Sequence, residues 1–347
     1  MTERRIYLDV GAGESRGVVT LDGRPERLLI VRDGDLAAQA LGARVVARVR
    51  ALDRANALAF LDLGQGPDAI LNLTKDSGRL VEGQAIEVEI RAEARRGKGA
   101  SARLVGPAEG QPRLLESAPG LEDQLRAYAP GSEIQRGGVA RSMADGAQDA
   151  VMTTEFAIAG GGSVAIETTR ALTAVDVDLG AHPGAEAKRA SRAANFAAIA
   201  LTARLLRLKG LGGLVVIDLV GRGHDGPALV NAARTAFGPD NPGVAIGAVG
   251  RFGTLELTVP RRARPALDIL TDETGEPSVT TEALALMRAL EREAVADGGG
   301  RFEAVAAPDV ATAARSVLSA LTARLGGRLF VRDDPGRARG RGDIARL

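Results

Sequence analysis

The hydrophobic positions near the start of the chain fall into short runs broken by turn residues. Ile6-Tyr-Leu, Gly17-Val-Val-Thr-Leu and Arg27-Leu-Leu-Ile-Val predict a β-meander over residues 4–31, with Asp22-Gly23 as one of its turns. Gly11-Ala-Gly13 and Gly13-Glu-Ser15-Arg-Gly17 resemble phosphate-loop and nucleophile-elbow spellings, but both motifs need a helix next, and Val18-Val-Thr-Leu continues as strand. Five further short strands follow between residues 43 and 105: Val45-Val-Ala-Arg-Val, Ala57-Leu-Ala-Phe60-Leu-Asp-Leu, Ala69-Ile-Leu, Ala85-Ile-Glu-Val-Glu-Ile and a last one near Ala102-Arg-Leu-Val. From Pro107 to Ala150 the pattern loosens into Gly, Pro, Ser and Gln, with one helix expected over 121–128.

Residues 154–169 predict two strands around the Gly160–Gly162 turn. Two apolar β-branched runs follow, one ending in Asp176-Val-Asp178 and one in Val-Val-Ile-Asp218. Between them a helix places Phe196, Ile199, Ala200, Ala203 and Leu206 on one face and stops at Gly210. The chain then reads as a strand over 254–259, a helix over 280–296, a strand over 302–306, a helix over 310–325 and a strand over 328–331, with a basic, disordered tail. The class is α/β or α+β.

Composition narrows the reading only a little. The 347 residues allow two or three domains, and no apolar run reaches the roughly 18 residues of a membrane helix. With no cysteine, disulfides and thiolate metal sites are excluded, and the expected location is cytoplasmic. A net charge of +1 does not announce a nucleic-acid binder, yet only four of the 45 basic residues are lysine. Arginine suits bidentate phosphate contacts, although a GC-rich genome produces the same bias. Seven Phe, two Tyr and no Trp leave few platforms for stacking bases.

The candidate chemistry lies at the ends of the two apolar runs. If these strands are neighbours, Asp176, Asp178 and Asp218 meet at one sheet edge, where open α/β sheets bind ligands. Acids there point to a hard divalent cation, and magnesium fits, because it takes one or two carboxylates and keeps waters or phosphate oxygens. Asp at a strand end also caps the following helix, so both readings stand. His182 and His224 each follow an acid by six residues and are candidates for a general acid, against the simpler reading as solvated loop residues.

The Asp-Val-Asp run, the helix ending Arg-Leu-Leu-Arg-Leu-Lys-Gly-Leu-Gly-Gly, Val-Val-Ile-Asp218, and Arg251-Phe252-Gly253 with Glu256 resemble, in this order across residues 160–262, the catalytic core of the ribonuclease E/G family. The resemblance implies a magnesium-dependent endoribonuclease cutting single-stranded RNA, with Asp176 and Asp218 as metal ligands and Asp178 beside them where the family has asparagine. It implies an OB-fold RNA-binding barrel over 43–106, a size that the five strands also fit, with Phe60 on the RNA face, Ile70 in place of a second aromatic, and Arg95, Arg96 and Lys98 on a basic hairpin. Arg141-Ser142 matches a pair that senses a 5′ monophosphate, and Arg251 is read either as a further RNA contact or as a salt-bridge partner of Glu256. The remaining boundaries are a meander over 1–42 packed on the core, a loose connector over 107–153 where much of an RNase H-like region is missing, a DNase I-like core over 154–335 and the tail over 336–347. The family's zinc link needs cysteines that this chain lacks, so any homo-oligomer forms without it. The rival expectation is an RNA-binding protein of the same fold with little or no catalytic activity.

Overall fold

The computed structural model describes residues 3–180, 187–238 and 243–347. Strands β1 (Arg4–Val10), β2 (Glu14–Leu21) and β3 (Arg24–Arg32) form the antiparallel meander. At the turn between the last two, Asp22 and Gly23 hold φ of 50° and 77°. A short polar side chain and a glycine tolerate that left-handed geometry, which matches the twist of the flanking strands.

The next five strands are β4 (Arg44–Asp53), β5 (Leu58–Asp62), β6 (Ala69–Asn72), β7 (Ala85–Ala92) and β8 (Ser101–Pro107). Because β4 pairs with both β5 and β7, and β6 runs parallel to β8, the order β4-β5-β6-β8-β7-β4 closes a barrel. Val45, Ala47, Val49, Ala59, Leu61, Val88 and Ile90 fill it. Strand β9 (Arg113–Glu116) then adds to β4 from outside. Two polar tethers fix the barrel to the rest of the chain. The Glu93 amide donates to the Arg262 carbonyl at 2.8 Å while its carboxylate accepts from the Arg264 amide at 2.8 Å. Arg96 donates to the Thr271 carbonyl at 2.6 Å and to its hydroxyl at 2.9 Å.

Residues 107–153 hold more structure than their composition predicts. After α1 (Leu121–Tyr128) and β10 (Ile134–Gln135), which extends the meander parallel to β1, comes α2 (Gly138–Met152). Its Ala140, Ala144, Ala147 and Val151 are buried against Val18, Leu28 and the main core. The spacing is helical, but alanine carries so little apolar surface that Gly138, Ser142 and Gly146 masked it.

The main sheet comprises β11 (Glu155–Ala157), β12 (Ser163–Thr168), β13 (Thr173–Asp178), β14 (Gly213–Asp218), β15 (Ala245–Val249) and β16 (Thr254–Val259), in the order β11-β12-β13-β14-β16-β15. Helix α3 (Ala187–Lys209) joins the parallel pair β13 and β14, and α4 (Gly226–Phe237) follows β14. Val175, Val177, Val215, Ile217, Leu255 and Leu257 share the core with Ile199, Ala203 and Leu206 of α3 and Leu229, Ala233 and Phe237 of α4. The alternate positions Ala174, Asp176, Asp178, Leu214, Val216, Asp218 and Glu256 are half-buried or exposed on the opposite face. One face of this sheet is therefore greasy and covered, and the other is acidic and accessible.

Lys209 closes α3 in an unusual way. Its side chain is buried, with Nζ donating to the Val151 and Thr153 carbonyls at 2.5 and 2.6 Å, where it satisfies the end of α2. Burial pulls its pKa down to about 8. The unfolded lysine, titrating near 10.4, binds the proton more tightly, so the wild type should gain stability as pH rises from about 8 to about 10.4. Melting wild type and Lys209→Met at pH 7.5 and 10 checks this: the difference in Tm between them should shift in favour of the wild type at the higher pH.

After α5 (Ala266–Leu270), the chain ends in a second, smaller layer: α6 (Val279–Ala296), β17 (Phe302–Ala306), α7 (Pro308–Leu325), β18 (Leu329–Asp333) and β19 (Asp343–Arg346), with sheet order β18-β17-β19. Here the expected disordered tail is corrected. Residues 343–346 pair antiparallel with β17, Arg337 binds Asp343 at 2.5 Å and Arg339 binds Glu282 at 3.0 Å. The ladder on β17 captures the strand, and these arginines are held by acids nearby.

Between the meander, α2 and this layer lies a buried ionic network. Arg16, 1% exposed, donates to Asp9 at 2.6 Å, to Asp145 at 2.8 Å and to Gln148 at 3.1 Å. Glu14 accepts from Arg32 and Arg288, both at 2.8 Å.

Candidate active site and nucleic-acid interface

The parallel pairing of β13 with β14 sets Asp176 directly opposite Asp218. Both are exposed, and since partners in register point to the same face, their carboxylates share the open side of the sheet. Neither has a hydrogen bond or ion pair with any other described residue. Like charges directly opposite one another destabilise a sheet, so this pair calls for a cation. Asp178 lies on the same face, two residues further along β13 and opposite Ser163, and its Oδ1 accepts from the Gly180 amide at 2.9 Å. It is thereby turned toward its own loop.

The exit of β14 is held from two sides. Asn195, 2% exposed on α3, donates to the Val220 carbonyl and accepts from the Val220 amide, both at 3.0 Å. The Leu219 amide donates to the Gly253 carbonyl at 3.1 Å. Asn195 went unread in the sequence, where a single amide on an apolar helix face offers little signal. Gly253, φ 86°, closes the turn that carries Arg251 and Phe252. Phe252 is 78% exposed, and the Arg251 guanidinium lies 4.6 Å from its ring centroid. Arg251 forms no ion pair with Glu256 among the described residues, leaving its cation at the sheet edge where Asp218 faces Thr254.

His224 lies on the loop after β14, with Nε2 buried near Gly253 and unpaired among the described residues. That nitrogen is closed off from solvent as it stands. His182 lies outside the described residues.

The residues expected to meet RNA divide into two sets. Phe60 is half-buried on the outside of the barrel, opposite Ile70, rather than in its core. Ile70, Arg95, Arg96 and Lys98 line a cleft of about 1000 Å³ between the barrel and the main sheet, where Arg170 and Arg261 add further cations. Burial first, then the neighbouring Arg95, lowers the Arg261 pKa, so these guanidinium groups crowd together from two modules. Arg96 is the exception, because its guanidinium holds Thr271 and serves as a tether. Arg141 stands on α2, with its guanidinium bonded to Asp9 at 3.3 Å and Glu291 at 2.9 Å, while Ser142 is exposed. The 5′-end contact expected of Arg141 does not fit this arrangement, since two carboxylates already occupy it.

Among the described residues, no group of three or more His, Asp and Glu side chains gathers at metal-binding spacing. The donor set at the sheet edge is a pair of oxygen ligands, which suits a hard cation that keeps much of its water and not a structural zinc.

Fold and site together define a mixed α/β protein whose exposed carboxylate pair sits at the ends of parallel strands, with a closed barrel and a cationic cleft alongside. Residues 116–262 match the model of the Ribonuclease E/G family. It is 29% identical to Ribonuclease E of Escherichia coli (strain K12) over 188 residues, which are 50% of this chain and 18% of that protein. Ribonuclease G of Salmonella typhimurium (strain SL1344) is 28% identical over 163 residues, 44% of this chain and 33% of that protein. The chloroplastic Ribonuclease E/G-like protein of Arabidopsis thaliana is 28% identical over 149 residues, 41% of this chain and 14% of that protein. The chain thus aligns with a third or less of the length of these relatives.

Proposed function

We propose that this protein is an endoribonuclease that hydrolyses phosphodiester bonds of single-stranded RNA in RNA processing or decay, with Asp176 and Asp218 holding a magnesium ion. The observation that carries this reading is the in-register pair of exposed carboxylates with no counter-charge among the described residues. When bound, magnesium offsets phosphate charge and lowers the pKa of a water. The protein's own part is to hold the two acids on a rigid ladder, with Asn195 and Gly253 fixing the segment after Asp218. Arg251 supplies a positive charge to an approaching phosphate, and Phe252 offers a face on which a base can stack. Asp178 stays beside the pair and tunes its charge.

The barrel is read as an OB-fold that guides the strand, supported by its five-strand ring with one parallel closure. Phe60, Arg95 and Lys98 are its RNA contacts, and the cleft's cations draw the backbone toward the sheet. The site of action proposed is the cytoplasm, and any homo-oligomer forms without thiolate zinc.

Cleavage of a fluorescent single-stranded oligoribonucleotide should require added magnesium, stop with EDTA and leave 5′ phosphate and 3′ hydroxyl ends. RNA binding without cutting at any divalent concentration would select the non-catalytic reading. Because Arg141 is engaged by Asp9 and Glu291, substrates with 5′ monophosphate and 5′ hydroxyl ends should be cut at the same rate to within about twofold. A tenfold preference for the monophosphate would show that Arg141 is released on binding.

A further inference from the structure

At the carboxyl ends of β13 and β14, between α3 and α4, lies a cavity of about 370 Å³ that the proposed chemistry does not use. Its lining is divided by chemistry. Phe196, Val220 and Leu229 supply apolar surface, while Lys188, Arg192 and Arg222 supply cations. Arg192 is paired with Asp225 at 3.2 Å, but Lys188 and Arg222 have no ion-pair partner among the described residues. Asp225 also caps α4 by accepting from the Ala228 amide, so the positive character comes from side chains and not from free helix amides.

Gly221-Arg222-Gly223-His224-Asp225-Gly226 forms the loop, between a strand and a helix, with φ of 91° at Gly221 and 70° at Gly223. A Cβ at Gly221 would meet Ser191 at 3.1 Å, so glycine lets the loop lie close to α3. His224 borders both this cavity and Gly253 of the turn bearing Arg251 and Phe252. The cavity therefore adjoins the elements that flank Asp218.

We propose that this cavity binds one nucleotide of the RNA chain beside the cleavage site, with the base against Phe196, Val220 and Leu229 and the phosphate held by Lys188 and Arg222. The volume falls in the range of small-ligand sites, and its position is where open α/β sheets bind nucleotides. The assignment rests on the endoribonuclease reading for the identity of the ligand, and on the cavity alone for its place.

The test is anisotropy of a 3′-labelled single-stranded RNA in EDTA, so that binding is read without cleavage. Wild type is compared with Lys188→Ala/Arg222→Ala and with Phe196→Ala, over a range of salt. The double variant should bind about tenfold more weakly, with the slope of log affinity against log salt reduced by roughly 0.7 per lost phosphate contact. Phe196→Ala should weaken binding with the salt slope unchanged, a split that a merely structural role would not produce. Folding of each variant is verified by its melting curve. Unchanged affinity and slope in the folded double variant would overturn the proposal. Displacement of the RNA by millimolar AMP or UMP, but not by inorganic phosphate, would support a nucleotide subsite. Tight mononucleotide binding with no loss of RNA would overturn its assignment to the chain. Cleavage is read separately with magnesium added, so a failure of the nuclease reading shows as absent cleavage and not as absent binding.

Discussion

Asp176→Asn and Asp218→Asn should each lower the RNA cleavage rate by roughly 10³-fold, about 4 kcal/mol of transition-state stabilisation, while RNA affinity in EDTA stays within about twofold. The substitution keeps shape and register but removes one of two charged oxygen ligands, so the magnesium concentration needed for half-maximal rate should rise in whatever activity remains. The same variants give a second, independent sign. Asp176 and Asp218 face each other without a paired cation among the described residues, and neutralising one relieves like-charge repulsion. In EDTA, both variants should melt at or above the wild-type temperature. A marked loss of stability would instead show that the acids hold the fold together, and full activity in either variant would end the metal-site reading. Measuring initial rates across a magnesium titration, alongside melting in EDTA, separates these cases.

Arg16→Met should destabilise the protein by about 3–5 kcal/mol, because removing the central cation of a buried ionic network leaves the buried Asp9 with only a weaker partner. Arg16 is 1% exposed and joins Asp9 to Asp145. Methionine fills much of the same volume, so the loss would be chiefly electrostatic. Asp9 would retain Arg141 at 3.3 Å as a weaker partner, which sets the lower end of the range. As a control, Arg136→Ala removes an ion pair to Glu122 in which both side chains are more than 40% exposed. Exposed pairs of this kind are screened by water and contribute little. Denaturant titration of both variants gives the comparison, and equal effects would mean that the network contributes no more than a surface pair.

The parts of the fold legible in the sequence were those with strong periodicity. The meander, α3 and the strands ending in Asp176 and Asp218 follow from apolar spacing and turn residues. The fact that these strands are neighbours in register adds what periodicity cannot supply, since alternation assigns a face but not a partner. Helix α2 escaped because its buried face is mostly alanine. Strand β19 escaped because arginine-rich composition suggests solvation, while the open edge of β17 provides backbone partners that only the tertiary fold reveals. Arg141 and Arg96 show the same limit for function. Both were expected to meet RNA, and both guanidinium groups hold protein groups instead, Asp9 and Glu291 for one and Thr271 for the other. A basic residue in a sequence does not disclose whether its charge is already spent inside the molecule.

The backbone ladder between β13 and β14 has one further consequence. The gap between the paired acids is set by interstrand spacing, about 4.8 Å, and not by the loops on either side. Insertions after Val220 should therefore leave the spacing of the two acids unchanged. A slip of one residue between the strands would do the reverse and turn one acid into the core.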